Sequence, residues 1–511
     1  MSGHWWQRGT LYQVYPRSFQ DSNGDGVGDL RGVQQRLDYL EWLGIDGVWI
    51  SPIFRSPMAD FGYDVADYRD VDPLFGTLDD LDELLADMHR RGMRLLLDFV
   101  PNHTSSQHPW FLDARSSRTA VHRDWYIWRD PAPDGGPPND FQSLFLGSAW
   151  EWDRKTGQYY FHSFLKEQPD LDWTNPQVRV AMLDVMRYWF RRGVDGFRVD
   201  VVNLLAKGPE LATPDHPDEH KTWGDEPQIH PLMRELRAVA DDFDEKVLIG
   251  EIYLPPTELV TFYGTELDEL HLPFNFGLLE LKEWTADAVN SAVVAYHQAM
   301  PPKAWPNWVL GNHDRHRVVT RIGMAQARVA QMLLLTLRGT PTLYYGDEIG
   351  MQEVELPRSM WRDPQGLRGG ETRDGCRTPM RWDPSALAGF TTGTPWLPLD
   401  QPADVDVATE RDDPASMLTL VRALLKLRRA EPALNVGDWR DLGRNGSTLA
   451  YMRTDAEPNG GRFLVCLNLG DQPAPLPVAA TSLRGTILVS TLAPEGRERF
   501  VGRDLAPNEG L

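Results

Sequence analysis

Three features predict the fold class. Short apolar strands alternate with amphipathic helices, polar or acidic residues close strand after strand, and short extended segments take over near the C-terminus. Together they specify an α/β chain: a (β/α)8 TIM barrel with a small domain inserted after strand 3 and a C-terminal antiparallel β-sandwich domain. Strand–helix alternation implies a parallel sheet with crossover helices. The barrel falls on residues 1–102 and 173–434, the insert on 103–172 and the C-terminal domain on 435–511.

Residues 11–16 read as the first strand. Asp21-Ser22-Asn23-Gly24-Asp25-Gly26-Val27-Gly28-Asp29 follows, with acidic or amide side chains at relative positions 1, 3, 5 and 9 and Gly at 6. An EF-hand loop uses that spacing to wrap oxygen ligands round one cation. Position 12 is Gly32 rather than Glu, and no second EF-hand helix is evident. The reading is a single-loop Ca2+ or Mg2+ site, with a solvated Asp/Gly turn as the alternative. Residues 33–43 are helical by pattern, and 47–51 form a buried strand. A helix over 78–92 ends on Arg90-Arg91-Gly92, the cations and glycine that favour a helix C-terminus, and 93–100 is the next strand.

The alternation breaks between His103 and Trp173, in a stretch rich in Pro, Gly, Trp and charge that is too long for an ordinary loop. It resumes with a helix over 177–192, a strand over 194–199, a helix over 231–241 and strands over 246–250 and 307–310. A weaker strand candidate lies at 270–274, and a helix over 326–337 leads to a strand over 340–345. A second irregular stretch begins at Gly346 and is followed by a helix over 417–429. Beyond it, Asn445-Gly446 and Asn459-Gly460 read as hairpin turns of the antiparallel domain.

The whole chain sets bounds on partners. With 511 residues, 52 Lys+Arg and 74 Asp+Glu, its net charge is −22, which argues against nucleic acid or anionic membrane as partner. An uncharged small molecule suits that balance. Two distant cysteines, Cys376 and Cys466, form no disulfide framework. The N-terminus lacks a basic region followed by an apolar core, and no apolar run spans a bilayer. The expectation is a soluble, cytoplasmic protein with no organic cofactor, and a monomer is permitted.

The chemistry centres on Gly193-Val194-Asp195-Gly196-Phe197-Arg198-Val199-Asp200-Val201. Side chains alternate along a strand, so Arg198 and Asp200 share a side. A cation beside a carboxylate keeps it ionised, and an ionised Asp at a strand's C-terminal end can attack a sugar carbon. Alone, the pair reads better as a structural ion pair at a strand end. Its company decides. Asn102-His103, Asp200, Glu251 and Asn312-His313-Asp314 each follow a predicted strand, and in a barrel those ends converge on one face. Cleaving a glycosidic bond needs one carboxylate ionised and one protonated. Glu251 follows an apolar strand with no basic neighbour in sequence, which suits the protonated role. Asp314 is a third carboxylate able to orient hydroxyls, and His103 and His313 can donate hydrogen bonds to them.

With those motifs on one face, the chain resembles glycoside hydrolase family 13, the α-amylase family, along essentially its whole length. Residues 99–103 and 196–200, the Glu251 region and Asn312-His313-Asp314 match the family's four regions. Gln168-Pro169-Asp170-Leu171-Asp172 is similar to the fifth region of the oligo-1,6-glucosidase group, with Asp172 where Asn is usual. Arg373-Asp374-Gly375-Cys376-Arg377 opens a stretch that looks like the signature of the α-glucosidase branch. The resemblance implies Asp200 as nucleophile, Glu251 as acid/base and Asp314 as stabiliser. It implies contacts to the terminal glucose from Asp64, His103, Arg198, His313 and Arg377, with Tyr63 stacking under the ring. Asp64 and Arg377 would close the pocket behind the non-reducing end. Asp21, Asn23, Asp25, Val27 and Asp29 match that branch's structural cation site. Val201, directly after the nucleophile, goes with α-1,6 action in that branch, where Thr or Ala goes with α-1,4.

The expected function is a retaining exo-α-glucosidase on short oligosaccharides or disaccharides. Two readings compete with it. A transglycosylating relative of the sucrose isomerase or trehalose synthase type shares the chemistry up to the glycosyl-enzyme. Sucrose isomerases carry Arg-Leu-Asp-Arg-Asp after the stabiliser, whereas here Asp314 precedes Arg315-His316-Arg317-Val318. A non-enzymatic scaffold like the amylase-like ectodomains of transporter heavy chains typically lacks the full catalytic set, which is present here.

Overall fold

The computed structural model describes residues 3–207, 228–400, 402, 404–457, 460–493 and 498–511. Eight strands form one parallel sheet: β1 (Leu11–Val14), β2 (Gly47–Ile50), β3 (Arg94–Phe99), β4 (Gly196–Val199), β5 (Val247–Gly250), β6 (Leu272–Pro273), β7 (Asn307–Val309) and β8 (Thr340–Tyr344). Neighbours follow chain order, and β8 returns to pair with β1, Leu11 opposite Thr342. A parallel bridge from Asn275 to Trp308 spans the β6–β7 seam and completes the barrel. All eight positions were legible as strands, including the weak candidate that became β6.

Local sequence explains why these segments stop where they do. Thr77 caps the helix Leu78–Arg90 in a reciprocal capping box with Asp80. Asn175 caps the helix Pro176–Arg192, Pro sits at its first turn, and Gly193 ends it in the left-handed conformation at φ 109°. Gly196 has a packing reason. A Cβ there would sit 2.5 Å from the Val247 carbonyl oxygen of β5, so only glycine lets the two strands approach at the site.

Two helix expectations need correcting, and one helix was unread. The stretch 33–43 is two helices, Leu30–Gln35 and Leu37–Leu43, meeting at Arg36. The first starts earlier because Asp29 caps it by accepting the Gly32 N–H. The segment before β8 runs Val318–Thr336 with a break at Gly323. The helix Ala286–Ala299, capped by Thr285, was not anticipated; its alanine-rich face carries only a weak apolar stripe.

Within the inserted stretch, Trp128–Arg129, Trp150–Asp153 and Gln158–Phe161 form a three-stranded antiparallel sheet. Near the C-terminus, Asp438–Asn445, Thr448–Thr454 and Arg462–Asn468 form another, and Gly485–Thr486 pairs with Arg499–Phe500. The Asn445-Gly446 turn is present, with Asn445 opposite Thr448. Asn459 lies outside the described residues.

One buried arginine, Arg453, joins this last region to the barrel, and Arg428 of the helix Met417–Ala430 lies beside it. Arg428 donates to the carbonyls of Leu335, Leu337 and Leu434 at 3.2, 3.2 and 2.9 Å. Arg453 donates to those of Thr336, Leu434 and Gly437 at 2.6, 2.9 and 3.0 Å. Among the described residues no helix is long and apolar enough to cross a membrane. Cys376 and Cys466 are both buried and unpaired.

Candidate active site

The strand register builds the site. Asp98 of β3 stands opposite Arg198 of β4, and Arg198 stands opposite Ile249 of β5, with Glu251 just beyond. A buried guanidinium is thereby fixed between two strand ends. Its Nη1 reaches Asp98 Oδ1 at 2.8 Å and Asp200 Oδ1 at 2.5 Å, and its Nη2 reaches Glu251 Oε2 at 2.6 Å. The Trp49 indole donates to Asp98 at 3.1 Å and fixes the far side of that carboxyl.

The sequence suggested that Asp200 had a cation and Glu251 had none. That contrast is wrong: the same arginine touches both. Adjacency along the chain cannot show a neighbour supplied by the next strand. Burial pushes Asp98 up to about 6 against the pull of Arg198. Burial pushes Asp200 well above the usual carboxylate range, Arg198 opposes it, and Glu251 and Asp98 add to the rise. One guanidinium is thus shared among three buried carboxylates, and burial outweighs its pull at Asp98 and Asp200.

Asp314 differs. Burial opposes its ionisation, but His313, Arg373 and Arg377 outweigh burial and hold it far below the usual range. Arg373 Nη1 and Arg377 Nη2 both contact its Oδ1, at 3.0 and 2.9 Å. Burial keeps His103 and His313 neutral, lowering His103 to about 4 and His313 further. His313 Nδ1 meets the Gln13 amide at 2.8 Å and its Nε2 meets the Tyr63 hydroxyl at 2.6 Å, while the Tyr63 ring stacks on it 5.6 Å away. His103 Nε2 lies 3.1 Å from Gln168 Nε2, which also reaches Asp60 at 3.3 Å.

The expected closure by Asp64 and Arg377 is not what the fold makes. Asp64 is fully buried and accepts the Ala59 and Asp60 N–H groups and the Ser56 hydroxyl. It shapes the loop that carries Asp60 and Tyr63. Arg377 is spent on Asp314 and on the His313 carbonyl, at 2.7 Å. The pair that meets is Asp60 with Arg373, at 3.0 Å, and Arg373 is braced from behind by Asp363 at 2.6 Å. Asp60, Asp98 and Arg373 were therefore missed. Asp98 had a signal, an acidic residue inside the apolar run Leu95-Leu96-Leu97; Asp60 had none beyond lying near Tyr63.

Two further expectations have a place. Asp170 pairs with the buried Lys207 at 2.9 Å, while Asp172 accepts from Thr174 and serves its own turn. Val201 is half-buried at φ 35°, ψ 52°, and its N–H donates to Glu251 Oε2 at 3.1 Å.

The loop after β1 lies apart from these residues. Asp21 accepts the N–H groups of Asn23, Gly24 and Gly26; Asn23 accepts that of Asp25, and Asp25 that of Val27. Gly26 is obligatory: at φ 92°, a Cβ would fall 1.8 Å from the Thr394 carbonyl oxygen. The donors are hard oxygens, which suits Ca2+ or Mg2+. Asp29 fits least, since its oxygens go to Gly32 and Ser22. Among the described residues no three His, Cys, Asp or Glu side chains converge as a ligand set, so Asn23 and backbone oxygen would have to contribute.

Two buried carboxylates on one guanidinium, with a third held ionised at the same barrel face, suit the breaking of glycosidic bonds, and the protein is a glycoside hydrolase. The chain matches the alpha-amylase catalytic domain over residues 13–437. It belongs to glycoside hydrolase family 13, the α-amylase family. It is 41% identical over 501 residues to a probable alpha-glucosidase of Rhizobium meliloti (strain 1021), covering 92% of this chain and 90% of that protein. It is 38% identical over 482 residues to the oligo-1,6-glucosidase of Parageobacillus thermoglucosidasius, covering 85% of each. Among solved structures, the trehalulose synthase of Pseudomonas mesoacidophila MX-45 superposes with a TM-score of 0.92 at 35% identity over 100% of this chain and 99% of that one. An alpha-glucosyl transfer enzyme superposes with a TM-score of 0.89 at 39% identity over 98% of both.

Proposed function

We propose that the protein is a retaining, exo-acting α-glucosidase that removes terminal α-linked glucose from short oligosaccharides. The observation that carries this reading is the Arg198 bridge between Asp200 and Glu251. So short a bridge suits the roughly 5–5.5 Å carboxyl separation of retaining pairs. The terminal glucose sits against Tyr63, with Asp60, Arg373 and His313 on its hydroxyls, and the Asp60–Arg373 pair closes the pocket behind it. Asp200 attacks C1 as the bond to the departing oxygen breaks, and Glu251 gives that oxygen its proton. Glu251, now a carboxylate, then takes a proton from water; the water oxygen attacks C1 and Asp200 leaves. Asp314 orients hydroxyls of the distorted ring throughout.

The test is NMR of the first product from a short α-glucoside, with α-glucose expected before mutarotation. Initial β-glucose, or near wild-type turnover by Asp200→Asn, sinks the assignment.

Linkage belongs to the same reading. Val201 can pack against the exocyclic methylene of an α-1,6 link, so isomaltose is cleaved at least as well as maltose. The loop of Asp21, Asn23, Asp25 and Val27 takes a structural Ca2+ or Mg2+. Two unpaired cysteines fit a cytoplasmic site of action. A second reading, net glucosyl transfer, is favoured by the likeness to the trehalulose synthase and the glucosyl transfer enzyme. A product time course on maltose, isomaltose, sucrose and trehalose separates them: hydrolysis yields free glucose throughout, and transfer yields new disaccharides first.

A further inference from the structure

Val201 stands in a conformation its side chain disfavours. A β-branched residue at φ 35° is a true outlier, and such strain persists only where surrounding structure imposes it. What imposes it is a set of hydrogen bonds between the end of β4 and Glu251. The Glu251 N–H donates to the Val199 carbonyl at 2.9 Å, and the Val202 N–H donates to the Glu251 carbonyl at 3.1 Å. Between them the left-handed turn points the Val201 N–H at the Glu251 side chain, onto Oε2. Arg198 Nη2 falls on that same oxygen. Among the described residues no hydrogen bond falls on Oε1.

We propose that Val201 is a positioning residue for the acid/base. Resting on the α-glucosidase reading, the inference is that its N–H and Arg198 together pin Oε2 and leave Oε1 to carry the proton delivered to the departing oxygen. Two donors on Oε2 disfavour a proton there, because a protonated oxygen would present its own hydrogen to them. The strained turn thereby selects which oxygen is the acid, and holds it beside the nucleophile one residue back along the chain.

The test removes the donor and keeps the side chain. Val201 is replaced by its α-hydroxy acid analogue, so that the N–H becomes an ester oxygen, and kcat/KM is measured on methyl α-glucoside and on α-glucosyl fluoride. The first needs a proton on its departing oxygen; fluoride leaves with far less help. The expected result is a fall of about 10- to 100-fold on the methyl glucoside with less than about threefold on the fluoride. Equal falls on both overturn the proposal, since a merely structural role does not discriminate between leaving groups. A wild-type enzyme that turns over neither substrate removes the α-glucosidase reading, and the proposal with it. A second measurement needs no backbone variant. In Glu251→Ala the Val201 amide should exchange its hydrogen about tenfold faster, and unchanged protection overturns the assignment.

Discussion

Asp60 and Asp64 stand four residues apart on one loop, and the structure gives them opposite jobs. Asp60 reaches Arg373 at 3.0 Å, where the glucose pocket is proposed, whereas Asp64 faces three donors of its own loop. In Asp60→Asn, Arg373 keeps Asp314 and Asp363 as partners, so little stability should be lost. The loss falls on substrate. A hydrogen bond to a charged group is worth about 1.5–3 kcal/mol, so kcat/KM on 4-nitrophenyl α-glucoside should fall by roughly 10- to 150-fold while Tm moves little. In Asp64→Asn, one carboxyl oxygen becomes an NH2 that meets an N–H or O–H donor head on. A buried unsatisfied donor costs about 1–3 kcal/mol, so Tm should drop by several degrees. The assay is the pair of measurements on both variants, kinetics and thermal melting. If Asp64→Asn melts like wild type and loses activity while Asp60→Asn stays active, then Asp64 faces the substrate and the geometry argued above is wrong.

Other outcomes follow from the same structure. Chelation, or Asp21→Ala, should lower Tm while sparing activity below the transition; unchanged melting together with no metal by elemental analysis removes the cation site. Val201→Thr should move the isomaltose-to-maltose ratio of specificity constants toward maltose by about 10- to 200-fold at most, and an unmoved ratio ends the linkage reading. Glu410 is buried, and burial raises its carboxyl to about 8 against the N–H of Leu418. A carboxyl raised in the folded state contributes stability below the unfolded value of 4.5 that is lost as pH climbs through about 8. Glu410→Gln should therefore melt close to wild type at pH 5 and above it at pH 9, by a margin on the order of 3–5 kcal/mol; a Tm gap that does not widen with pH refutes the shift.

Much of the fold was readable because strands buried on both faces are short apolar runs between turn signals. β1 to β5, β7 and β8 announce themselves this way, and even β6, with two residues, left a trace. The helix expected over 177–192 ends where Asn175 and Gly193 cap Pro176–Arg192. The helix Ala286–Ala299 was not readable, because its small, evenly spread residues give little periodicity. The candidate site was readable where a residue closes a strand, as Asp200 and Glu251 do, or follows one within a few residues, as Asp314 does. It was opaque where function depends on a partner from elsewhere in the chain. No local pattern tells that Arg198 serves Glu251 across β4 and β5, or that Arg373 travels 313 positions to meet Asp60. Val201's left-handed backbone was invisible too, since valine is the residue a sequence reading least expects there.

Arg428 and Arg453 have a consequence for how the molecule can be taken apart. The helix Val318–Thr336 ends on carbonyls that guanidinium groups from beyond it satisfy, and the turn into β8 depends on the same two side chains. Among the described residues neither arginine pairs with a carboxylate, so their hydrogen bonds are committed to main chain. A barrel cut free at residue 434 would lose Arg453 and leave the Thr336 carbonyl without that donor, at the base of the last strand. Heat or denaturant should therefore melt the barrel and the C-terminal sheet in one transition. A chimaera that grafts this barrel onto a foreign C-terminal module will hold only if the module brings its own arginine to that corner. The two parts are a matched set, and the seam between them rests on one side chain's reach toward another segment's backbone.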